Sequence, residues 1–292
     1  IDIIHSVNEY YTFLSLMSKY TFGIPIVADI HASAAIEGFL TYGWIGYMAG
    51  VIAESIICKY ADAIIVPTVK YKNYLCSLFP SAGSKVFSIP NGIDTMHFSP
   101  NPSIKSSLRR ELNISQKAYV AFFHGSPYKV NIHAIERIAK IMHILNQQGI
   151  PAIALIAGNF DMKALPRSPY VKYLGYVSNL PDVINAADIA IIPVGFKSLG
   201  IRSRLIEYMA CGLPTIVIES AIEAMKDALD PQSVIVARDL QDIIRKAIAL
   251  YNNPILRGLI GNRARLCVIK HFSLEVIASK LERVYQWVLS HA

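Results

Sequence analysis

Charge is scarce in this 292-residue chain: 17% of its residues are Asp, Glu, Lys or Arg, below the usual quarter, while 53% are apolar. That balance excludes a disordered or collagen-like polypeptide. Cysteine is scarce too. Cys58, Cys76, Cys211 and Cys267 lie far apart with no C-x-x-C spacing, which excludes a disulfide scaffold and a zinc ribbon. They read as reduced structural thiols in a cytosolic protein. No basic segment followed by an apolar core opens the chain, so no signal peptide is expected, and with Ile1 first the sequence reads as the interior of something longer. Lys and Arg outnumber Asp and Glu by 28 to 21, giving +7, but they are spread in ones and twos, which argues against nucleic acid as a partner. Long apolar runs are also missing. The longest uncharged stretch of note, residues 38–53 (GFLTYGWIGYMAGVIA), falls short of the roughly 20 residues a membrane span needs. It can be a buried helix, an interfacial helix with Tyr42, Trp44 and Tyr47 at headgroup level, or a true span.

What the sequence does have is alternation. Short β-branched runs at 24–30, 62–67, 85–90, 119–125, 152–158, 171–177, 188–194 and 214–219 alternate with helical patterns, as in parallel βαβ construction. Most of these runs are apolar throughout, as expected where helices cover both faces of a parallel sheet. Residues 132–148 place apolar side chains at 132, 135, 138, 141, 142 and 145, a helical stripe. The length suits two domains, and the least patterned stretch, 99–107, marks the boundary between them. The expected division is a partial N-terminal domain over 1–98, a linker over 99–116, a C-terminal domain over 117–272, and a final helix over 273–292 returning towards the first domain. The first half lacks an opening strand with a glycine-rich turn, so it reads as truncated at its start.

In open parallel sheets, ligands bind beyond the carboxyl ends of the strands. Four such ends carry informative residues. After the run at 119–125 come Gly125, where backbone can approach a ligand closely, and Lys129, which can reach a phosphate. Gly158 and Gly175 follow the next two runs, each compatible with a simple tight turn. After 188–194 comes GFKSLGIRSRLIEYMACGLP (195–214), where Gly200 and Ile201 precede a helix expected to start near Arg202 and to offer its amides to an anion. Arg202 and Arg204 add two cations. Glu207 can accept hydrogen bonds from ribose hydroxyls or form an intrahelical pair with Arg204; local physics leaves both open.

The segment GIRSRLIEYMACGLPTIV resembles the signature of the family-four retaining glycosyltransferases. Further landmarks occur in family order: ADAIIVPT, IPNGIDTMHF, HGSPYKVN, LIAGN, VKYLGYV, LPDVINAADIAIIP and HFSLEVIASKLERVY. The resemblance covers essentially the whole chain and implies the GT-B fold, an α/β architecture of two Rossmann-like, doubly wound parallel-sheet domains. It implies that Glu207 holds the donor ribose, that Gly125, Gly200, Ile201 and Arg204 bind the donor, and that Val177 meets the nucleotide base through its backbone. Lys129 matches a phosphate-binding cation, Arg202 joins it at the diphosphate, and His31 in VADIHA matches the active-site histidine. Two departures stand out. Leu199 replaces the first glutamate of the usual E-x7-E pair, and His124 stands where the family often carries an Arg.

On this resemblance the chain is expected to transfer a sugar from a nucleotide-diphosphate sugar, its donor and partner, to a saccharide or lipid-linked acceptor, with retention and without a cofactor. No D-x-D motif supplies metal-bridging carboxylates, so metal independence is expected. A non-catalytic sugar-nucleotide-binding relative and a GT-B-type epimerase are the alternatives. The uncharged stretch and the positive balance together suggest docking on an anionic membrane surface at the cytoplasmic face.

Overall fold

A computed structural model describes residues 1–195 and 199–291. They form two compact units, one of residues 1–92, 199–201 and 274–291, the other of residues 93–195 and 202–273.

The first unit holds β1 (Ile4–Val7), α1 (Glu9–Phe22), β2 (Ile26–Asp29), α2 (Ala34–Tyr60), β3 (Ala63–Val66), α3 (Val69–Leu78) and β4 (Val86–Ser88). Its strands pair in parallel in the order β1-β2-β3-β4. Alternate residues of the buried strands serve opposite faces. Ala28, Ile64 and Val66 pack against Ile57 and Cys58 of α2 and Tyr71 and Leu75 of α3, while Val27, Ala63 and Ile65 face the other way. The expected strands at 24–30, 62–67 and 85–90 are present, each trimmed at its ends. β1 is an addition. Its four residues, Ile-His-Ser-Val, put two polar side chains in a run too short and too mixed to stand out as a strand.

The second unit continues with α4 (Pro102–Glu111), β5 (Tyr119–His124), α5 (Lys129–Gln147), β6 (Ala152–Ala157), β7 (Val171–Gly175), α6 (Leu180–Ala186) and β8 (Ile189–Ile192). There follow α7 (Ser203–Ala210), β9 (Thr215–Ile218), α8 (Glu219–Ile222), β10 (Ile235–Ala237), α9 (Leu240–Asn252) and α10 (Pro254–Phe272). The parallel sheet runs β10-β9-β8-β5-β6-β7. From β5 the chain builds outward through β6 to β7, then returns to the other side of β5 with β8 and builds outward again. The order therefore reverses between β5 and β8, the place where such sheets open a crevice for a ligand. Only β10, three residues long, escapes the sequence pattern. The stripe at 132–148 becomes α5, with Ile135, Ile138, Ile141, Met142 and Leu145 in the core.

The stretch 99–116 is not a free linker. It contains α4, and Arg109 on that helix is buried, donating to the carbonyls of Ala186, Gln116 and Ala118 and to the Asp188 carboxylate. Its polar sequence (PSIKSSLRRE) hides the helix because its anchor is a guanidinium rather than an apolar stripe. The boundary falls earlier, at 92/93: Arg265 of α10 ties the carbonyls of Thr95 and Phe98 into the second unit. The last helix, α11 (Leu274–His291), belongs to the first unit, where Ile277, Val284 and Val288 cover Val27, Ala63 and Ile65. Ala292 lies outside the described residues.

Candidate active site

At the reversal point of the second sheet, β5 ends in His124 and Gly125. A Cβ on Gly125 would sit 2.8 Å from Asn131 Nδ2 and 3.2 Å from Arg204 Nη2, so the bare glycine lets α5 and α7 close over the strand end. Gly158, with φ +139°, is bare for the same reason: a Cβ there would overlap the Gly125 carbonyl oxygen. Its amide donates to the Gly175 carbonyl at 2.8 Å, which joins the ends of β6 and β7. Gly125, Gly158 and Gly175 thus form one floor of backbone without side chains at the ends of β5, β6 and β7.

The side chains above that floor come mostly from α7. The Arg204 guanidinium lies over the Phe123 ring, 4.7 Å from its centroid, and makes no ion pair among the described residues. Arg202 is half-buried, and burial together with the neighbouring Arg204 charge pushes its guanidinium down to about 10, still a cation at neutral pH. Lys129, the first residue of α5, is exposed and has no side-chain partner among the described residues.

Glu207 does not pair with Arg204. Its Oε2 lies 3.1 Å from His124 Nε2, with the alignment of an ion contact rather than a hydrogen bond, so this buried oxygen receives no hydrogen-bond donor. The fully buried Tyr208 fixes the arrangement: its hydroxyl accepts from the His124 amide at 2.9 Å and meets His124 Nδ1 at 3.0 Å. With Tyr208 donating to Nδ1, the imidazole proton sits on Nε2, out of line with the Glu207 oxygen beside it. An acceptor that is buried and undersupplied is a place for a ligand hydroxyl. Sequence reading missed Tyr208 and Asn131. Both look like core residues until the strand end they hold is known.

The expected anion site at Gly200, Ile201 and the Arg202 amide is not assembled as anticipated. The α7 helix begins at Ser203, and the Arg202 amide donates to Met225 Sδ at 3.2 Å while its Nε donates to the Ala221 carbonyl at 3.1 Å. Gly200 and Ile201 fall in the segment that folds with the first unit, where Leu199 is buried beside Ile30 and Val66 and its carbonyl accepts the Thr68 hydroxyl. An apolar residue at 199 explains this: leucine seeks the core where a glutamate would seek a ligand. Phe196, Lys197 and Ser198 of the same motif lie outside the described residues. Val177 is half-buried and lies two residues past Gly175, at the β7 end of the glycine floor.

His31 belongs to the first unit, on the loop after β2. Its Nδ1 lies 3.2 Å from Asn91 Oδ1 and its Nε2 3.9 Å from Asp29 Oδ2, and Asp29 also meets His5 Nε2 at 3.2 Å. With Asn91 accepting from Nδ1, the other nitrogen is left to accept a proton or a hydrogen bond. The loop is fixed from below by the buried Glu54, which accepts from Ser33 Oγ at 2.6 Å and the Ala35 amide at 3.4 Å. Burial pushes the Glu54 carboxyl up, against the lowering effect of those bonds. A carboxyl raised in the folded state contributes stability below its unfolded value and loses it as pH rises. Glu54→Gln keeps the acceptor oxygen and cannot ionise, so its melting temperature should gain on wild type as pH rises from about 5 to about 8; parallel curves would contradict the raised carboxyl. Among the described residues no group of three His, Cys, Asp or Glu side chains gathers as a metal would require.

Two family models match: the "Glycosyltransferase Family 4" model over residues 1–97 and the "Glycosyl transferases group 1" model over 118–253. The chain belongs to the group 1, GT4-type glycosyltransferases. It is 21% identical to the D-inositol 3-phosphate glycosyltransferase of Streptosporangium roseum, over 99% of this chain and 70% of that protein. It is 25% identical to a GDP-mannose-dependent phosphatidylinositol monomannoside mannosyltransferase of Corynebacterium glutamicum, over 68% of this chain and 55% of that one. Among solved structures, Anabaena HepE in complex with UDP superposes with a TM-score of 0.78 at 16% identity, covering 98% of this chain and 78% of HepE. Sucrose-phosphate synthase of Thermosynechococcus elongatus gives 0.78 at 18%, covering 100% and 74%. The two parallel-sheet units are those of the GT-B fold, and the relatives the chain matches are named as glycosyltransferase enzymes.

Proposed function

We propose that this glycosyltransferase takes its sugar from a nucleotide diphosphate sugar, with retention of configuration and without a metal ion, and passes it to a saccharide or lipid-linked acceptor. The observation that carries the donor reading is the undersupplied Glu207 oxygen at the strand-order reversal, suited to a ribose hydroxyl. The diphosphate then falls over the glycine floor, where Arg204, Arg202 and Lys129 meet the charge that develops on the leaving group. Val177 is left to meet the base by its backbone. Fixed cations at the leaving group and the missing D-x-D motif support metal independence, and the family supports retention. HepE, a structural neighbour, was solved with UDP-glucose, and the Corynebacterium relative is described as using GDP-mannose on a phosphatidylinositol mannoside; both kinds of donor and a lipid acceptor are therefore worth testing here. On this reading His31, matched to the family's active-site histidine, acts on the acceptor side of the reaction.

The test is to supply UDP- and GDP-sugars with a panel of lipid and saccharide acceptors, with and without EDTA, and to follow nucleotide release and product anomericity. EDTA-resistant transfer with retention supports the reading. Loss of transfer in EDTA that added magnesium restores would remove metal independence, and inverted product would remove retention. Glu207→Ala should weaken donor binding by about tenfold or more, the worth of hydrogen bonds to a charged acceptor; unchanged binding would move the ribose elsewhere.

A further inference from the structure

Residues 38–53 carry no charge, and α2 is long and apolar enough by composition to cross a membrane. It does not form one rod. Gly43 has φ 63° and ψ −145°, which breaks the helix. A Cβ on Gly38 would overlap the Gly46 carbonyl, and one on Gly50 would overlap the backbone of Ala34 and Ala35. Residues 34 and 50 would stand about 24 Å apart in a straight helix, so the chain doubles back at Gly43 and the two arms run antiparallel. They meet through Ala34-x-x-x-Gly38 and Gly46-x-x-x-Gly50, small-residue pairs that let helix backbones touch.

Close packing of small residues leaves the large ones outside. Leu40 is 68% exposed, Tyr42 74%, Trp44 71% and Ile45 83%, and Phe39 and Tyr47 stack edge-on against Trp44 from either side. These side chains come from both arms next to the turn, so they ring a convex tip. A fluid apolar phase can surround such a tip, whereas a protein partner would need a deep pocket to cover it. Charge does not supply the attraction: residues 1–92 hold five Lys and no Arg against six Asp and Glu, and the positive excess lies in the rest of the chain. The arm before Gly43 reaches about 14 Å and the arm after it about 25 Å, each short of the roughly 30 Å hydrocarbon core.

We propose that the Gly43 hairpin is a monotopic anchor that dips into one leaflet of a lipid bilayer, driven by burial of its uncharged aromatic tip rather than by headgroup charge. The tip's Tyr and Trp rings, apolar in body with one polar atom each, suit the depth just below the headgroups. Sinking the tip would hold the first unit at the surface where a lipid-borne acceptor lies.

The chain should float with phosphatidylcholine vesicles, and raised salt or added anionic lipid should change this little. With Trp287→Phe, Trp44 is the sole tryptophan; its emission should shift to the blue on mixing with vesicles and be quenched by bromine on the acyl chains. Leu40→Ser with Trp44→Ser and Ile45→Ser should weaken vesicle binding about a thousandfold or more, with donor binding unchanged. Three results would overturn the proposal: no flotation, flotation that needs anionic lipid and vanishes in salt, or a Trp44 blue shift that comes with dimerisation in the absence of lipid. The tryptophan readout uses the unaltered tip, so it holds even if the triple variant misfolds.

Discussion

Arg204→Ala is expected to lower the turnover rate by about 10²–10³-fold, the effect of removing one preorganised donor from a developing negative charge. Arg204 already lies over the Phe123 ring and beside Gly125, without an ion pair among the described residues. Its side chain therefore needs little reorganisation to meet the diphosphate of the proposed nucleotide-sugar donor, and no carboxylate among the described residues pairs with its charge first. The loss should fall on kcat and kcat/KM alike, because the charge it answers grows only in the transition state. Arg204→Lys should recover part of the rate, since an ammonium keeps the charge but loses the planar fork. A donor with an intrinsically better leaving group should suffer less from Arg204→Ala than the natural one. Equal losses for both donors, or a loss confined to KM, would place Arg204 in ground-state binding instead. Arg202→Ala should be harder to interpret, because Arg202 Nε also holds the Ala221 carbonyl.

Much of this site can be read from the sequence because strand ends and helix starts punctuate it. Glycines after apolar runs locate the floor, and Arg204 and Glu207 fall three residues apart at the start of a helix. What cannot be read is which polar groups find each other across the sheet. Spacing alone offers Glu207 to Arg204, yet the fold hands it to His124, 83 positions earlier, because β5 and α7 meet at the reversal of strand order. The same limit hides α4, whose hold on the sheet runs through polar contacts of Arg109 and Lys105, both reaching Asp188, rather than through an apolar stripe. It also hides the doubling of α2, where one glycine with a positive φ turns an apparent span into a hairpin. Composition reports how apolar a segment is; only the turn decides where its large side chains go.

The buried Arg109–Asp188 contact carries the largest expected effect on stability. Asp188, at the start of β8, is 8% exposed and Arg109 3% exposed. The Asp188 carboxylate accepts from Arg109 Nη2 at 2.8 Å, Lys105 Nζ at 2.7 Å and the Val120 amide at 2.8 Å. It thereby joins α4 to β5 and β8 in a single junction. Asp188→Ala would leave a buried guanidinium without its counter-charge, so a loss of about 3–5 kcal/mol is expected, read as a fall of roughly 6–15 °C in melting temperature. Replacing Arg109 and Asp188 together with Met and Leu should cost much less than the two single changes summed, because neither charge is then stranded. Burial alone would push the Asp188 carboxyl up, but Lys105, Arg109 and the Val120 amide outweigh it and hold the carboxyl below its ordinary value. A carboxyl depressed in the folded state contributes stability above its unfolded value, near 3.9, and loses it as pH falls through the folded one. The gap in stability between wild type and Asp188→Asn should therefore be widest near neutral pH and close in acid. A gap that stayed constant down to about pH 2 would mean that hydrogen bonding alone, and not ionisation, holds the junction together.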